Sequence, residues 1–137
     1  MVEILATHAM KLDAEDDIIA VRRRVKEIAE QRKFDTFAIA AITTATSELA
    51  RNVIVHGQGG TASIEEVSDG IRAGIRIAFV DRGPGISDIP RVMSGGYSTA
   101  RSMGLGLSGS KRLVDAFELD SKVGEGTRVT VTKWKRY

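Results

Sequence analysis

The sequence contains no cysteine, which removes disulfides, thiolate zinc sites and cysteine nucleophiles together. Two histidines alone make a poor metal centre. Only 5% of residues are aromatic, and 20 Lys plus Arg stand against 18 Asp plus Glu for a formal net charge of +2. Neither base stacking nor a strong positive field is therefore available to recruit nucleic acid or an anionic membrane. No apolar run approaches the roughly 18 residues of a membrane helix, and Met1 to Met10 lacks the basic start and apolar centre of a signal peptide. A cytoplasmic protein is expected. The 137 residues, 42% of them hydrophobic, are enough for one core and one domain, residues 1–137. There are only two prolines, and the fourteen glycines all lie between Gly57 and Gly126, where they serve backbone geometry.

Periodicity supplies the order of elements. Val2 to Thr7 reads as a short strand, and after Asp13 the apolar residues Ile18, Val21, Val25, Ile28 and Ala29 recur at helical spacing. Asp13 is the expected cap of that first helix, and its wet face carries Arg22, Arg23 and Lys26, a candidate docking patch. Asp35 caps a second helix, with Ala38, Ala41, Ile42, Ala45, Leu49 and Val53 on its apolar stripe and an end at about His56, before Gly57. From Thr61 the period is two, Asp69-Gly70 marks a turn, and Ile71 to Phe79 alternate again as a hairpin. Arg82 to Met103 is a long surface segment with one short helix at Ile89 to Met93. A third long helix is expected from near Leu105 to Ala116, followed by a hairpin that turns at Gly124-Glu125-Gly126. This order predicts an α+β two-layer sandwich, a mostly antiparallel sheet covered on one face by helices.

Three stretches can carry chemistry. Glu48 and Asn52 stand four apart on one helix face and His56 extends their stripe, so a carboxylate can act as general base beside an amide magnesium ligand. For His56 itself, capping or packing is the expected part. Asp81-Arg-Gly-Pro-Gly-Ile86 follows directly on a strand; Asp81 can accept a hydrogen bond from an exocyclic amine, and Gly83 and Gly85 keep side chains out of the path of a flat ring. Gly104-Leu-Gly-Leu-Ser-Gly109 matches G-x-G-x-x-G, but no buried strand precedes it, and Ser110-Lys111 stands where a P-loop needs Lys before Ser or Thr. What these glycines offer is backbone N–H approach to an anion just ahead of a helix.

In order, Glu48-Leu-Ala-Arg-Asn52, Asp81-Arg-Gly-Pro-Gly-Ile86, Gly104-Leu-Gly-Leu107 and Gly126-Thr127 resemble the N, G1 and G2 boxes of the GHKL ATP-binding superfamily over about residues 35 to 133. The resemblance implies the Bergerat fold, with ATP between helices and sheet under a lid at about 87–103. By position it implies Asn52 on Mg²⁺, Asp81 on the adenine amine, Gly83, Gly85 and Ile86 at the base pocket, Gly104, Leu105 and Gly106 at the phosphates, and Thr127 near the adenine end. Only Met1 to Phe34 precede the second helix, where a histidine kinase carries its phosphoacceptor helix pair.

Ile42-Thr-Thr-Ala45, Ser47-Glu-Leu-Ala-Arg-Asn52, Gly96-Tyr-Ser-Thr99, Lys111-Arg-Leu-Val-Asp115 and Lys133-Trp134 extend the likeness over nearly the whole chain, to the bacterial serine/threonine kinases of partner-switching systems. That family implies transfer from ATP and Mg²⁺ to Ser or Thr of STAS-domain scaffold or antagonist proteins of a stress-signalling complex. Glu48 would be the catalytic proton acceptor and Arg101 a lid cation; binding and activation of a PP2C-type phosphatase regulator would follow release, and a homodimer is compatible with it. Alternatives are an anti-sigma factor kinase that binds a sigma factor and a non-catalytic ATP-gated binding module. One departure stands in the phosphate box: Ser102 occupies the first position of a fuller G-x-G-x-G.

Overall fold

A computed structural model describes residues 1–94 and 101–136, apart from the side chains of residues 101–105. The elements are β1 (Glu3–Leu12), α1 (Glu15–Gln31), α2 (Thr36–Val55), β2 (Gly60–Ser68), β3 (Ala73–Asp81), α3 (Ile89–Met93), α4 (Arg101–Leu113), β4 (Ala116–Lys122) and β5 (Gly126–Trp134). The five strands form one antiparallel sheet in the order β1-β2-β3-β5-β4. This is the expected α+β sandwich.

Alternation decides which face of the sheet is covered. Ala62 and Ile64 of β2, Ile75, Ile77 and Phe79 of β3, and Val129 and Val131 of β5 are buried with Ile18, Val21, Val25 and Ile28 of α1 and Ile42, Leu49 and Val53 of α2. The opposite face carries Glu65, Arg76, Glu118, Asp120 and Arg128, with Arg76 Nε 2.6 Å from Glu65 Oε1. Among the described residues nothing forms a second layer over it. A further polar cluster ties α1 to the sheet: Glu66 of β2 accepts from Arg32 at 2.8 Å and lies 2.8 Å from His8 Nε2, while Arg24 of α1 meets His8 Nδ1 at 3.2 Å. Burial works to raise the Glu66 pKa, but the hydrogen bonds from His8 and Arg32 outweigh it and hold the carboxyl below its ordinary value. Arg22, Arg23 and Lys26 remain exposed on α1.

The helices begin and end where local chemistry allows, with three departures from expectation. Asp35 caps α2 by accepting from Ala38 N–H at 2.8 Å, and Asp88 caps α3 through Arg91 N–H at 3.1 Å, with Pro90 in the first turn. At α1 the cap position falls to Ala14 rather than Asp13: no side chain caps the helix, and Asp17 reaches back to accept from the Asp13 and Ala14 N–H groups at 2.9 and 3.0 Å, the reciprocal half of a capping box. β1 runs to Leu12 rather than Thr7: Ala6, His8, Met10 and Leu12 keep the inward alternation, and β2 pairs with them up to Gly60. The third departure is α4, which starts at Arg101 and stops at Leu113 instead of running from Leu105 to Ala116; Ala116 already pairs with Thr132 as a strand residue. Among the described residues no helix is long and apolar enough to cross a membrane.

The α1 start carries a pH signature. Asp17 is held at about 2, below its ordinary 3.8, first by the Lys11 ammonium 2.8 Å away and then by the two backbone N–H groups. A depressed carboxyl stabilises the fold above its ordinary value, and that contribution is lost as pH falls through the folded-state value. Thermal unfolding of Asp17→Asn should therefore show a lower Tm than the unsubstituted protein at neutral pH. The gap should close between about pH 4 and about pH 2; a gap constant over that range would remove the Asp17 charge as its source.

Candidate functional site

The site forms where the C-terminal half of α2 passes over the ends of β3 and β5. Leu49, Asn52, Val53 and His56 follow at three- and four-residue steps, so all four line one cavity of about 160 Å³. Its walls are apolar: Leu49, Val53, Phe79, Ile86, Leu107 and Val129. Four polar side chains break them, Asn52, His56, Asp81 and Thr127. The space is many times what one water needs, so it is large enough for a planar ring. His56 closes α2 by donating its N–H to Asn52 O at 3.0 Å, and burial pushes its imidazole pKa below the ordinary 6.5.

Asp81 is the last residue of β3 and lies opposite Thr127 of β5. Its Oδ1 accepts two backbone hydrogen bonds, from Gly83 N–H at 2.9 Å and Thr127 N–H at 3.2 Å, which fixes the carboxylate plane and leaves Oδ2 without a donor among the described residues. The carboxylate rests against Gly57, where a Cβ would overlap it. Gly83 is buried against the same residue, since a Cβ there would come within 2.7 Å of Gly57 Cα. Gly85 has φ of 78° and backs onto the Lys122 carbonyl. Both box glycines are thus set by backbone contact; Gly85 lines the cavity and Gly83 does not. Ile86 is buried in the wall, and its N–H donates to Ser121 Oγ at 2.9 Å.

At the other end of the stripe, Glu48 is exposed, while the Asn52 Nδ2 atom is buried with no hydrogen-bond partner. Gly106 of α4 crosses above the pair: a Cβ there would lie 3.1 Å from Asn52 Nδ2 and 3.4 Å from Glu48 Oε2. The sequence places the glycines ahead of a helix, whereas Gly104, Leu105 and Gly106 are already helical. Only residues 101–104 of such a helix have N–H groups without an intrahelical acceptor, so Gly106 works by closeness of approach. Among the described residues no group of three His, Cys, Asp or Glu side chains could hold a metal ion. Residues 95–100 lie outside the described residues. With them go the middle of the expected lid at 87–103 and the Gly96-Tyr-Ser-Thr99 motif; the side chains of Arg101 and Ser102 are likewise outside.

The structure brings Asn52, Asp81, Gly85, Ile86 and Thr127 to one cavity and sets Glu48 and Gly106 beside its Asn52 end. Sequence reasoning missed the contact of Gly57 with Asp81 and the part of Ser121, whose Oγ touches Ile86, Gly126 and Thr127. Gly57 carried a signal as a helix stop, but a serine in an alternating strand carries none.

Comparison with known proteins agrees with this geometry. The family model of the histidine kinase-, DNA gyrase B- and HSP90-like ATPases matches residues 38–136. The serine/threonine-protein kinase RsbT of Bacillus subtilis (strain 168) is 44% identical over 127 residues, which is 93% of this chain and 96% of that protein. An anti-sigma F factor of Thermoanaerobacter sp. (strain X514) is 34% identical over 100 residues, 70% of each chain. Among solved structures, the RsbU and RsbW domains of Rv1364c from Mycobacterium tuberculosis superpose with a TM-score of 0.68 at 23% identity, over 96% of this chain and 33% of that one, a likeness of fold. With the box residues gathered at one cavity and the family model spanning α2 through β5, the chain belongs to the histidine kinase-, DNA gyrase B- and HSP90-like ATPase family.

Proposed function

We propose that this chain is an ATP- and magnesium-dependent protein serine/threonine kinase that phosphorylates STAS-domain proteins and, when released from them, binds a PP2C-type phosphatase regulator in the cytoplasm. The kinase class follows the 44% identity to a serine/threonine-protein kinase over nearly the whole chain. The observation that carries the nucleotide reading is that two residues lining one cavity each keep an unfilled polar position among the described residues, Asp81 at Oδ2 and Asn52 at the orphaned Nδ2. A buried amide nitrogen without a partner is costly, and a ligand with polar groups at both ends of an apolar ring would satisfy both.

In this reading the apolar walls hold the adenine ring and Asp81 accepts from its amine, with Gly85, Ile86 and Thr127 around the base. Gly83 acts behind Asp81 through Gly57. Asn52 Oδ1, as a single protein ligand, suits Mg²⁺, which keeps waters and phosphate oxygens in the rest of its shell, while the orphaned Nδ2 would donate to a phosphate oxygen; bound there, Mg²⁺ would supply charge neutralisation at the phosphates. In this reading the phosphates would lie at the start of α4, with Gly104 and Leu105 near them and Gly106 leaving room beside Asn52. Glu48 beside it is placed to accept the proton of a substrate hydroxyl, and phosphoryl transfer asks for little more than such positioning. A sigma factor as protein partner is the second reading, favoured by the 34% identity to anti-sigma F factors over 70% of the chain.

Three measurements test this. Asp81→Asn should weaken ATP binding by about a hundredfold or more in calorimetry, because an amide NH₂ then confronts the adenine amine; unchanged affinity in a folded variant would take Asp81 out of the base pocket. Glu48→Gln should keep ATP affinity and lose roughly 10²- to 10⁴-fold in transfer of label to a STAS protein. A rate within about threefold of the unsubstituted protein would mean that the base lies elsewhere. In a competition pull-down, unphosphorylated STAS protein and the phosphatase regulator should displace each other, and the phosphorylated STAS protein should not compete. A stable ternary complex would exclude partner switching and leave a kinase or an ATP-gated module.

A further inference from the structure

Ser121 lies on β4 outside every sequence motif, yet its hydroxyl touches three groups at the cavity edge. Its Oγ accepts from Ile86 N–H at 2.9 Å, donates to the Gly126 carbonyl at 3.0 Å and lies 2.8 Å from Thr127 Oγ1. A hydroxyl has one proton, and a carbonyl can only accept. The Ser121 proton is therefore committed to Gly126, and Thr127 must be the donor in the third bond. Thr127 lines the cavity, and with its proton given to Ser121 its Oγ1 can only accept from a ligand group that reaches it. Beside it stands Asp81, bound to the Thr127 N–H through Oδ1 and left with Oδ2 as a second acceptor.

We propose that Ser121 is a positioning residue for nucleobase choice. By taking the Thr127 proton it fixes that hydroxyl as an acceptor next to Asp81, so the cavity takes a purine with an exocyclic amine and rejects one with a carbonyl at the same place. This rests on the nucleotide site proposed above. A carbonyl there would face two sets of lone pairs in an apolar enclosure, the kind of mismatch that discriminates strongly. Without the Ser121 hydroxyl the Thr127 rotor is free to turn its proton toward the cavity and serve the carbonyl.

The test is calorimetric titration of the full chain with ATP and with ITP, each with Mg²⁺; the two bases differ by amine against carbonyl at one ring carbon and by the proton on the adjacent nitrogen. The unsubstituted protein should prefer ATP by about a hundredfold, and Ser121→Ala should shrink that ratio by about tenfold or more, while Ser121→Thr, which keeps a hydroxyl, retains it. A purely structural Ser121 would weaken both nucleotides alike; an unchanged ratio in folded Ser121→Ala overturns the proposal. Should Ser121→Ala fail to fold, Thr127→Val removes the acceptor from the other side. It should likewise lower the ratio, with Thr127→Ser preserving it, and an unchanged ratio in Thr127→Val is equally fatal. If the unsubstituted chain binds ATP but does not discriminate, only this proposal falls. Binding of neither nucleotide would end the nucleotide site and this proposal with it.

Discussion

The carboxylate of Asp81, lodged on Gly57 and held by the N–H groups of Gly83 and Thr127, is the contact on which the rest of the site depends. It joins the end of β3 to β5, to the loop that follows it and to the residue that ends α2. Each neighbour is constrained in turn: no side chain fits at Gly57, and Gly83 must pack against Gly57 backbone. A carboxylate with one oxygen saturated by backbone donors keeps its plane without help from a ligand. Its free oxygen is therefore preorganised, and little ordering entropy is left for binding to supply.

The second constraint is α2. One helix carries the buried residues Ile42, Leu49 and Val53, the cavity residues Asn52 and His56, and Glu48 at its edge. Because successive turns of a rigid helix fix these side chains relative to one another, Glu48, Asn52 and His56 keep their spacing along the cavity whatever the loops around it do. Where α4 crosses, Gly106 allows approach to within van der Waals range of Asn52 and Glu48. A larger residue there would push the two helices apart at the point where the chemistry is proposed. The apolar walls matter for the same reason, since polar groups in a low-dielectric enclosure interact more strongly than in water.

The remaining surfaces divide by charge and cover. The outer sheet face is polar and cross-linked by the Arg76–Glu65 pair, so it has no need of a second layer. On the helical side, the His8, Glu66, Arg32 and Arg24 cluster locks α1 to β1 and β2 and uses Arg24 for structure. Arg22, Arg23 and Lys26 are left exposed beside it.

Alternation and helical spacing alone determined the element order, the antiparallel sheet and the one-sided helical layer, because periods of two and 3.6 are written directly in side-chain type. Asp35 and Gly57 marked α2 at both ends for equally local reasons. The boundaries that moved were those decided by non-local pairing: β1 extends as far as β2 pairs with it, and α4 stops where Ala116 meets Thr132. The box residues Asn52, Asp81 and Thr127 could be picked out by type and order, but their meeting at one cavity needed α2 to be packed across the strand ends. Only the tertiary structure gave Gly83 and Gly85 their backbone partners and Ser121 its hydroxyl network. The bonds of Ser121 to Gly126 and Thr127 cross a hairpin, while its bond to Ile86 and the contacts of Gly83 with Gly57 and Gly85 with Lys122 join residues tens of positions apart, and a contact between distant segments leaves no periodicity in either one.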